Sequence, residues 1–342
     1  MRVPRERNLP AAAAKVKGKT MKLEWPNDRL DYVPINDRPP LPLPGGAKVV
    51  VWPCVNVENW AIDQPMPRTV VNPPGGVAKS VPDIPNWAWH EYGNRVAFWR
   101  MKKIFDEFGV AASLVLNGTV CDVYPQIVDA CLASRWDLVG HGWIQRALPA
   151  VPDQRDMIHR VFKRLKAYSG KPPKGWLGPA LAETHDTVDW LAEAGFEYVA
   201  DWVLDDQPVD LRTKHGTLVS IPYTQELNDL SMLLIQGHRA TEYADRAIDQ
   251  FEQLIEDAAG GSSRIMCFTM HPYIMGVPHR AKHLRRILEH VCNRADALVW
   301  TGEQILEWYK GVRPKGGWPP VSKSSRNAGR KANRTPGKSG RK

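Results

Sequence analysis

Short apolar runs recur along residues 47–309, each followed by a segment whose apolar positions fall three and four apart. The runs at 47–52, 110–116, 136–139, 175–179, 198–203, 218–223, 264–270 and 297–300 predict strands. The intervening periodic stretches at 94–108, 125–133, 153–168, 184–194, 243–258, 279–293 and 302–309 predict helices. Several of these stop at a glycine: Gly109, Gly170, Gly195 and Gly260-Gly261. The first strand, Val49-Val50-Val51-Trp52, is apolar on successive positions, which suits a strand covered on both faces. Strands alternating with helices imply an α/β protein with a parallel sheet. About seven strands in this span fit a distorted, closed or nearly closed (β/α) barrel.

In such a barrel the chemistry lies where the strands end. The ends collect Asn56 and Glu58, Asn117, His141 and Gln145, Trp176, then Asp201, Asp205 and Asp206, and His271. The organising stretch is Leu138 to Gln145, an apolar run that breaks into Gly140-His141-Gly142-Trp143. Glycine there lets backbone approach a ligand, and histidine can ligate a metal or move a proton. A lone histidine in a turn is more often a structural hydrogen-bonding group, but here it is one of several polar strand ends.

Outside this body the pattern changes. Residues 1–46 form a basic and then proline-rich extension, with Pro34, Pro39, Pro40, Pro42 and Pro44 closing on Gly45-Gly46. This reads as a strap along the domain surface. Residues 61–90, rich in Pro, Gly, Asn and Trp, read as a long loop near the site. Residues 310–342 form a basic tail of disordered composition. The formal charge of +9 belongs to the ends: residues 1–20 carry +5 and residues 310–342 carry +11, leaving the body at −7. An acidic body of this kind is no nucleic-acid-binding domain.

Five cysteines without C-x-x-C spacing argue against a disulfide framework or a zinc–thiolate site. No apolar run has the length of a membrane span, and the N-terminal alanines are too short for a signal-peptide core. The expectation is a soluble cytoplasmic protein. His279 and His283 have the i, i+4 spacing of a two-histidine metal site, but their helix is basic and lacks the Glu of a His-Glu-x-x-His motif. Gly337-Lys338-Ser339 lacks the first glycine and the preceding strand of a phosphate loop, and no Gly-x-Ser-x-Gly elbow occurs.

The strand-end residues resemble the polysaccharide deacetylase family (carbohydrate esterase family 4), within it the intracellular branch of allantoinase-like and cyclic-imide hydrolases. The resemblance covers roughly 45–309. The family's first motif is a pair of acids, one a base and one a metal ligand; here it is Asn56-Val57-Glu58. The second, His-x-x-x-His, supplies two metal ligands; here it is His141 to Gln145, with glutamine in place of the second histidine. The third carries Arg and Pro; here Trp176-Leu177-Gly178-Pro179 has no arginine. The fourth carries Asp and Trp, comparable to Asp201-Trp202 with Asp205-Asp206. The fifth is an apolar strand ending in a catalytic histidine, matching 265–271.

The resemblance implies a hydrolase of non-peptide carbon–nitrogen bonds in a small cyclic or linear amide. The alternatives are an N-deacetylase of amino sugars or chitooligosaccharides and a non-catalytic ligand-binding barrel. Glu58 and His271 are the expected catalytic pair. Trp143, Trp176, Trp202 and Asp206 are the expected substrate contacts. No cofactor is expected, because a neutral amide is a poor substitute for an imidazole. If zinc or another divalent metal binds, Glu58 and His141 are its ligands, with Gln145 a weak third. The expected partner is a small-molecule amide or sugar, with no nucleic acid and no membrane, and a homo-oligomer stays open.

Overall fold

The structure is a computed structural model that describes residues 24–70 and 82–314. Among the described residues nine strands form one sheet: β1 (Val49–Val57), β2 (Ser113–Leu116), β3 (Asp137–Gly140), β4 (Gly175–Trp176), β5 (Tyr198–Val199), β6 (Val209–Thr213), β7 (Gly216–Ser220), β8 (Arg264–Met270) and β9 (Ala297–Val299). Their order is β6-β7-β5-β4-β3-β2-β1-β8, with β9 also on β1, and all neighbours are parallel except β6 and β7. Nine strands replace the expected seven or so. The extra one is chiefly β6, whose half-buried alternation over Val209 to Thr213 makes an antiparallel edge hairpin with β7. The barrel is not closed. Past β7 the chain meets the free edge of β8 through a single bridge, Asn228 to Thr269, where the Thr269 amide donates to Leu227 O at 2.9 Å.

The central strand β1 is buried at every position. It contains Pro53, which cannot donate a ladder hydrogen bond and is normally confined to edges. Val51 O accepts from the Trp300 amide at 3.0 Å, so odd-numbered backbone groups of β1 face the edge shared by β9 and β2. Partners on β9 end opposite Val51 and partners on β2 begin opposite Cys54. The missing N–H of Pro53 falls where one strand hands over to the other.

Helices pack outside the sheet: α1 (Ile84–Tyr92), α2 (Phe98–Glu107), α3 (Val120–Val123), α4 (Pro125–Ala133), α5 (Gln154–Ser169), α6 (Thr187–Ala194), α7 (Ala240–Asp257), α8 (Pro272–Met275), α9 (Pro278–Cys292) and α10 (Gly302–Val312). The barrel interior holds a second core of Trp52, Tyr198, Tyr223, Val50, Val139 and their neighbours. Tyr198 explains Gly175: a Cβ there would lie 2.0 Å from the tyrosine ring. The segment read as a loop over 61–90 in fact turns helical at Ile84, with Asp83 accepting from the Asn86 amide as its cap. A π-helical turn, Gly93–Ala97, joins α1 to α2. Gly93 lies so close to Tyr273 that a Cβ would be 2.6 Å from its backbone nitrogen.

The described part of the extension, 24–46, packs on the barrel. Val33, Leu41 and Leu43 are buried in the interior core. Arg29 holds Asp189 through two bonds of 2.7 and 2.8 Å, and Arg38 Nη1 donates to Asp205 at 2.8 Å. At the other end α10 runs to Val312, and Arg313 pairs with Asp210 at 2.8 Å. The remainder of both basic ends, 1–23 and 315–342, lies outside the described residues. Among the described residues no helix is long and apolar enough to cross a membrane.

Candidate active site

The buried ends of β1, β3 and β8 bring three side chains together. Glu58 follows β1, and its Oε1 lies 3.9 Å from His141 Nε2 and 3.7 Å from His271 Nε2. Both gaps exceed a hydrogen bond, so Oε1 is left to a molecule placed among the three. Its other oxygen, Oε2, accepts from the Trp60 indole at 2.7 Å. Asn94, on the π-turn, donates to Glu58 O at 3.1 Å and fixes the end of the strand. π-turns often mark such sites.

Each imidazole is oriented by its second nitrogen. His141 Nδ1 lies 2.6 Å from Leu177 O, at the end of β4. A carbonyl only accepts, so Nδ1 carries the hydrogen and Nε2 of the neutral ring is an acceptor. Burial keeps the His141 pKa below its ordinary value, against the pull of Glu58 and Leu177. His271 Nδ1 lies 2.7 Å from Asp229 Oδ1, and the His271 amide donates to Asp229 Oδ2 at 2.8 Å. Asp229 is 0% exposed and sits on the segment that bridges to β8. It therefore fixes the His271 ring and stabilises positive charge on it. Burial presses the Glu58 carboxyl upward in pKa. The facing His271, His141 and His90 rings and the Trp60 indole more than offset this, so it lies below its ordinary value.

The three side chains line one cavity of about 620 Å³, together with Asn56, Gln145, Tyr223 and Asn228. Asn56 donates to Thr269 Oγ1 at 2.6 Å and takes no part in proton transfer.

No protein-family model matches the chain. A Schizosaccharomyces pombe protein that carries the polysaccharide deacetylase name is 26% identical over 245 residues, covering 66% of this chain and 76% of that protein. A solved structure from Pseudomonas aeruginosa PAO1 under the same name superposes with a TM-score of 0.70 at 22% identity, covering 81% of this chain and 96% of the other. The solved structure of Puue allantoinase gives a TM-score of 0.73 at 21% identity, covering 85% and 99%. The chain is related to the polysaccharide deacetylases. It shares their fold.

The resemblance implies a metal donor set of two histidines and a carboxylate on the first two motifs, where this chain has Glu58, His141 and the amide of Gln145. The Gln145 oxygen accepts from Asn117 Nδ2 at 3.3 Å, and the same Asn117 amide bonds His141 O. Among the described residues no three His, Cys, Asp or Glu side chains are placed to hold an ion, His279 and His283 included. The residues present do not fit the three-ligand zinc site of a catalytic hydrolase.

The four expected substrate contacts stand away from the cavity. Trp176 is 0% exposed and turns to the helix side of β4, against Phe196 at 5.3 Å. Strand alternation sends neighbouring side chains to opposite faces, so Leu177, not Trp176, lines the cavity. Trp143 covers Gly118 and is capped by the Arg160 guanidinium at 3.5 Å. Trp202 donates to Glu183 Oε2 at 3.0 Å and meets Trp25 of the strap at 6.0 Å. Asp206 lies at the wrong end. Its carbonyl accepts from the amide of Ile265, six residues along β8 from His271, about 20 Å at strand rise. The chain past β5 runs back down the barrel there, which a reading of strand ends cannot show.

Asp229, Trp60 and Asn94 have structural roles at the site that the motif reading missed. A signal for Asp229 existed: an acid between Leu227 and the apolar run Leu230 to Ile235 has to find a buried partner.

Proposed function

We propose that this protein hydrolyses a non-peptide carbon–nitrogen bond in a small cyclic or linear amide, with Glu58 as general base and His271 as general acid. The observation that carries this reading is the placement of Glu58 Oε1 3.7 Å from a His271 whose other nitrogen is held by buried Asp229. Water lying between Glu58 and the substrate carbonyl gives one proton to Glu58 as its oxygen bonds to the carbonyl carbon. The His271 Nε2 proton passes to the amide nitrogen as the carbon–nitrogen bond breaks. The products are a carboxylic acid and an amine, and for a ring amide one open-chain molecule. Neutral His141 accepts a hydrogen bond through Nε2 and holds the water or a substrate N–H. Asp229 stabilises the imidazolium form of His271, the role of the carboxylate in serine-hydrolase triads.

General acid–base catalysis of this kind contributes roughly 10²–10⁴-fold, enough for an activated ring amide or imide. The reaction as drawn uses no metal, and the glutamine in place of an imidazole supports that reading. The direct test is turnover of a panel of cyclic imides, ureides, linear amides and N-acetylated chitooligosaccharides by the purified full chain. Ring opening supports the reading. Release of acetate from the oligosaccharides alone moves the protein to sugar N-deacetylation, and no turnover of any member leaves a binding protein.

A further inference from the structure

We propose that the substrate carries a carboxylate, received by Arg68 and Arg146 on the wall of the catalytic cavity. This rests on the hydrolase reading above and names its substrate class. Both arginines line the cavity that holds Glu58, His141 and His271, Arg68 half-buried and Arg146 exposed. They arrive from two different loops, Arg68 after β1 and Arg146 after β3. The loops are tied together where the Gln145 amide donates to Asn59 O at 3.2 Å. Arg68 is half-buried and anchored: its Nη1 donates to the Tyr273 hydroxyl at 3.0 Å, and Tyr273 packs on the His271 ring at 5.8 Å. That bond ties Arg68 to a buried side chain that packs on His271.

Among the described residues neither guanidinium has an ion-pair partner, whereas most arginines do, including Arg29, Arg38, Arg155, Arg164, Arg212 and Arg294. The one acid on the described cavity wall is Glu58, whose two oxygens face the indole and the imidazoles. Residues 71–81, next in sequence to Arg68, contain Lys79 and no acid. Two arginines without an ion pair thus line one cavity in a body whose net charge is −7. A lone unpaired surface arginine needs no ligand, but two lining one reaction cavity have the chemistry of carboxylate recognition. The planar fork of each presents paired N–H donors that match the two oxygens of a carboxylate. Such a clamp would orient the scissile amide toward Glu58 from a remote part of the substrate.

Two readouts separate this inference from the hydrolase reading. The first is kcat/KM of the full chain for hydantoin-5-acetate relative to hydantoin, in the wild type and in R68Q, R146Q and R68K. The second is calorimetric binding of glutarate, which has no bond to hydrolyse, with inorganic phosphate titrated in parallel. The expected result is a ratio of about ten or more in the wild type, falling roughly tenfold in R68Q and in R146Q, with R68K intermediate. Glutarate affinity should fall in step, in variants whose melting temperatures match the wild type. Loss of glutarate binding in the variants without turnover of either ureide would sink the hydrolase reading and keep the anion site. A ratio near one, or glutarate binding indifferent to both substitutions, overturns the inference. So does arginine-dependent binding of phosphate tighter than that of glutarate, which would assign the site to a phosphorylated ligand.

Discussion

Replacing Asp229 by asparagine should cost the enzyme most of its turnover while leaving substrate binding nearly intact. Asp229 is 0% exposed and makes two hydrogen bonds, to His271 Nδ1 at 2.7 Å and to the His271 amide at 2.8 Å. Asparagine keeps the shape and one acceptor oxygen for Nδ1–H. Its NH₂ then faces the backbone N–H of His271, donor against donor. Leaving that amide unsatisfied costs about 1–3 kcal/mol of stability. The catalytic loss is separate. His271 must carry positive charge on the way to protonating the leaving nitrogen, and a hydrogen bond to a charged partner is worth about 1.5–3 kcal/mol. At 1.36 kcal/mol per tenfold this predicts a fall in kcat of roughly 10- to 150-fold. KM should move little, since a fully buried carboxylate touches no substrate. The assay is steady-state hydrolysis of whichever amide the panel selects, alongside thermal unfolding to confirm that the variant is folded. A folded D229N with kcat within about threefold of wild type would refute the Asp229–His271 argument.

Other consequences can be checked together. Trp60→Phe removes the indole donor from Glu58 Oε2, so the Glu58 pKa should rise and the acid limb of kcat/KM should move to higher pH; an unmoved limb would show that Glu58 is not the base. Glu183 and Asp201 are buried carboxyls whose pKa values burial raises, that of Asp201 further by the neighbouring Glu183. A raised folded-state pKa gives stability that is complete below the unfolded value near 4 and is lost as pH rises through the folded one. Glu183→Gln, which supplies a permanent donor to Asp201, should therefore gain about 1–2 kcal/mol over wild type at pH 8–9, read by urea unfolding; parallel pH profiles for the two proteins would contradict this. A chain cut to 21–312 should keep fold and activity, because the strap's ring contacts begin at Trp25 and α10 ends at Val312, with the Arg313 pair to Asp210 lost at that end; insoluble or inactive protein would show that the basic ends matter.

The elements read most closely from sequence are those with the plainest local signal. β8 matches its predicted range, and α4 does too, because a continuous apolar run or a proline-started helix admits few other structures. The candidate cluster was legible because Glu58, His141 and His271 each directly follow a strand. The tryptophans misled. Composition places them near a loop but does not say which face they take, and Trp176 and Trp143 turned to the helix layer. The register of two-residue strands such as β4 and β5 is set by packing of Tyr198 and Phe196 around Gly175 and Gly140, which no local pattern records. Asp229 was hidden because it reaches His271 across 42 residues through a single bridge at the open edge of the barrel.

The account stands or falls on whether Glu58 and His271 catalyse amide hydrolysis without a metal. The measurement is single-turnover hydrolysis of the best panel amide by chelator-treated full chain of measured metal content, compared with E58Q prepared in the same way. Full turnover by the metal-free wild type, with loss of about 10²-fold or more in E58Q, is the predicted result. Activity that disappears with chelator and returns with stoichiometric zinc would contradict it, as would an E58Q variant that turns over at the wild-type rate.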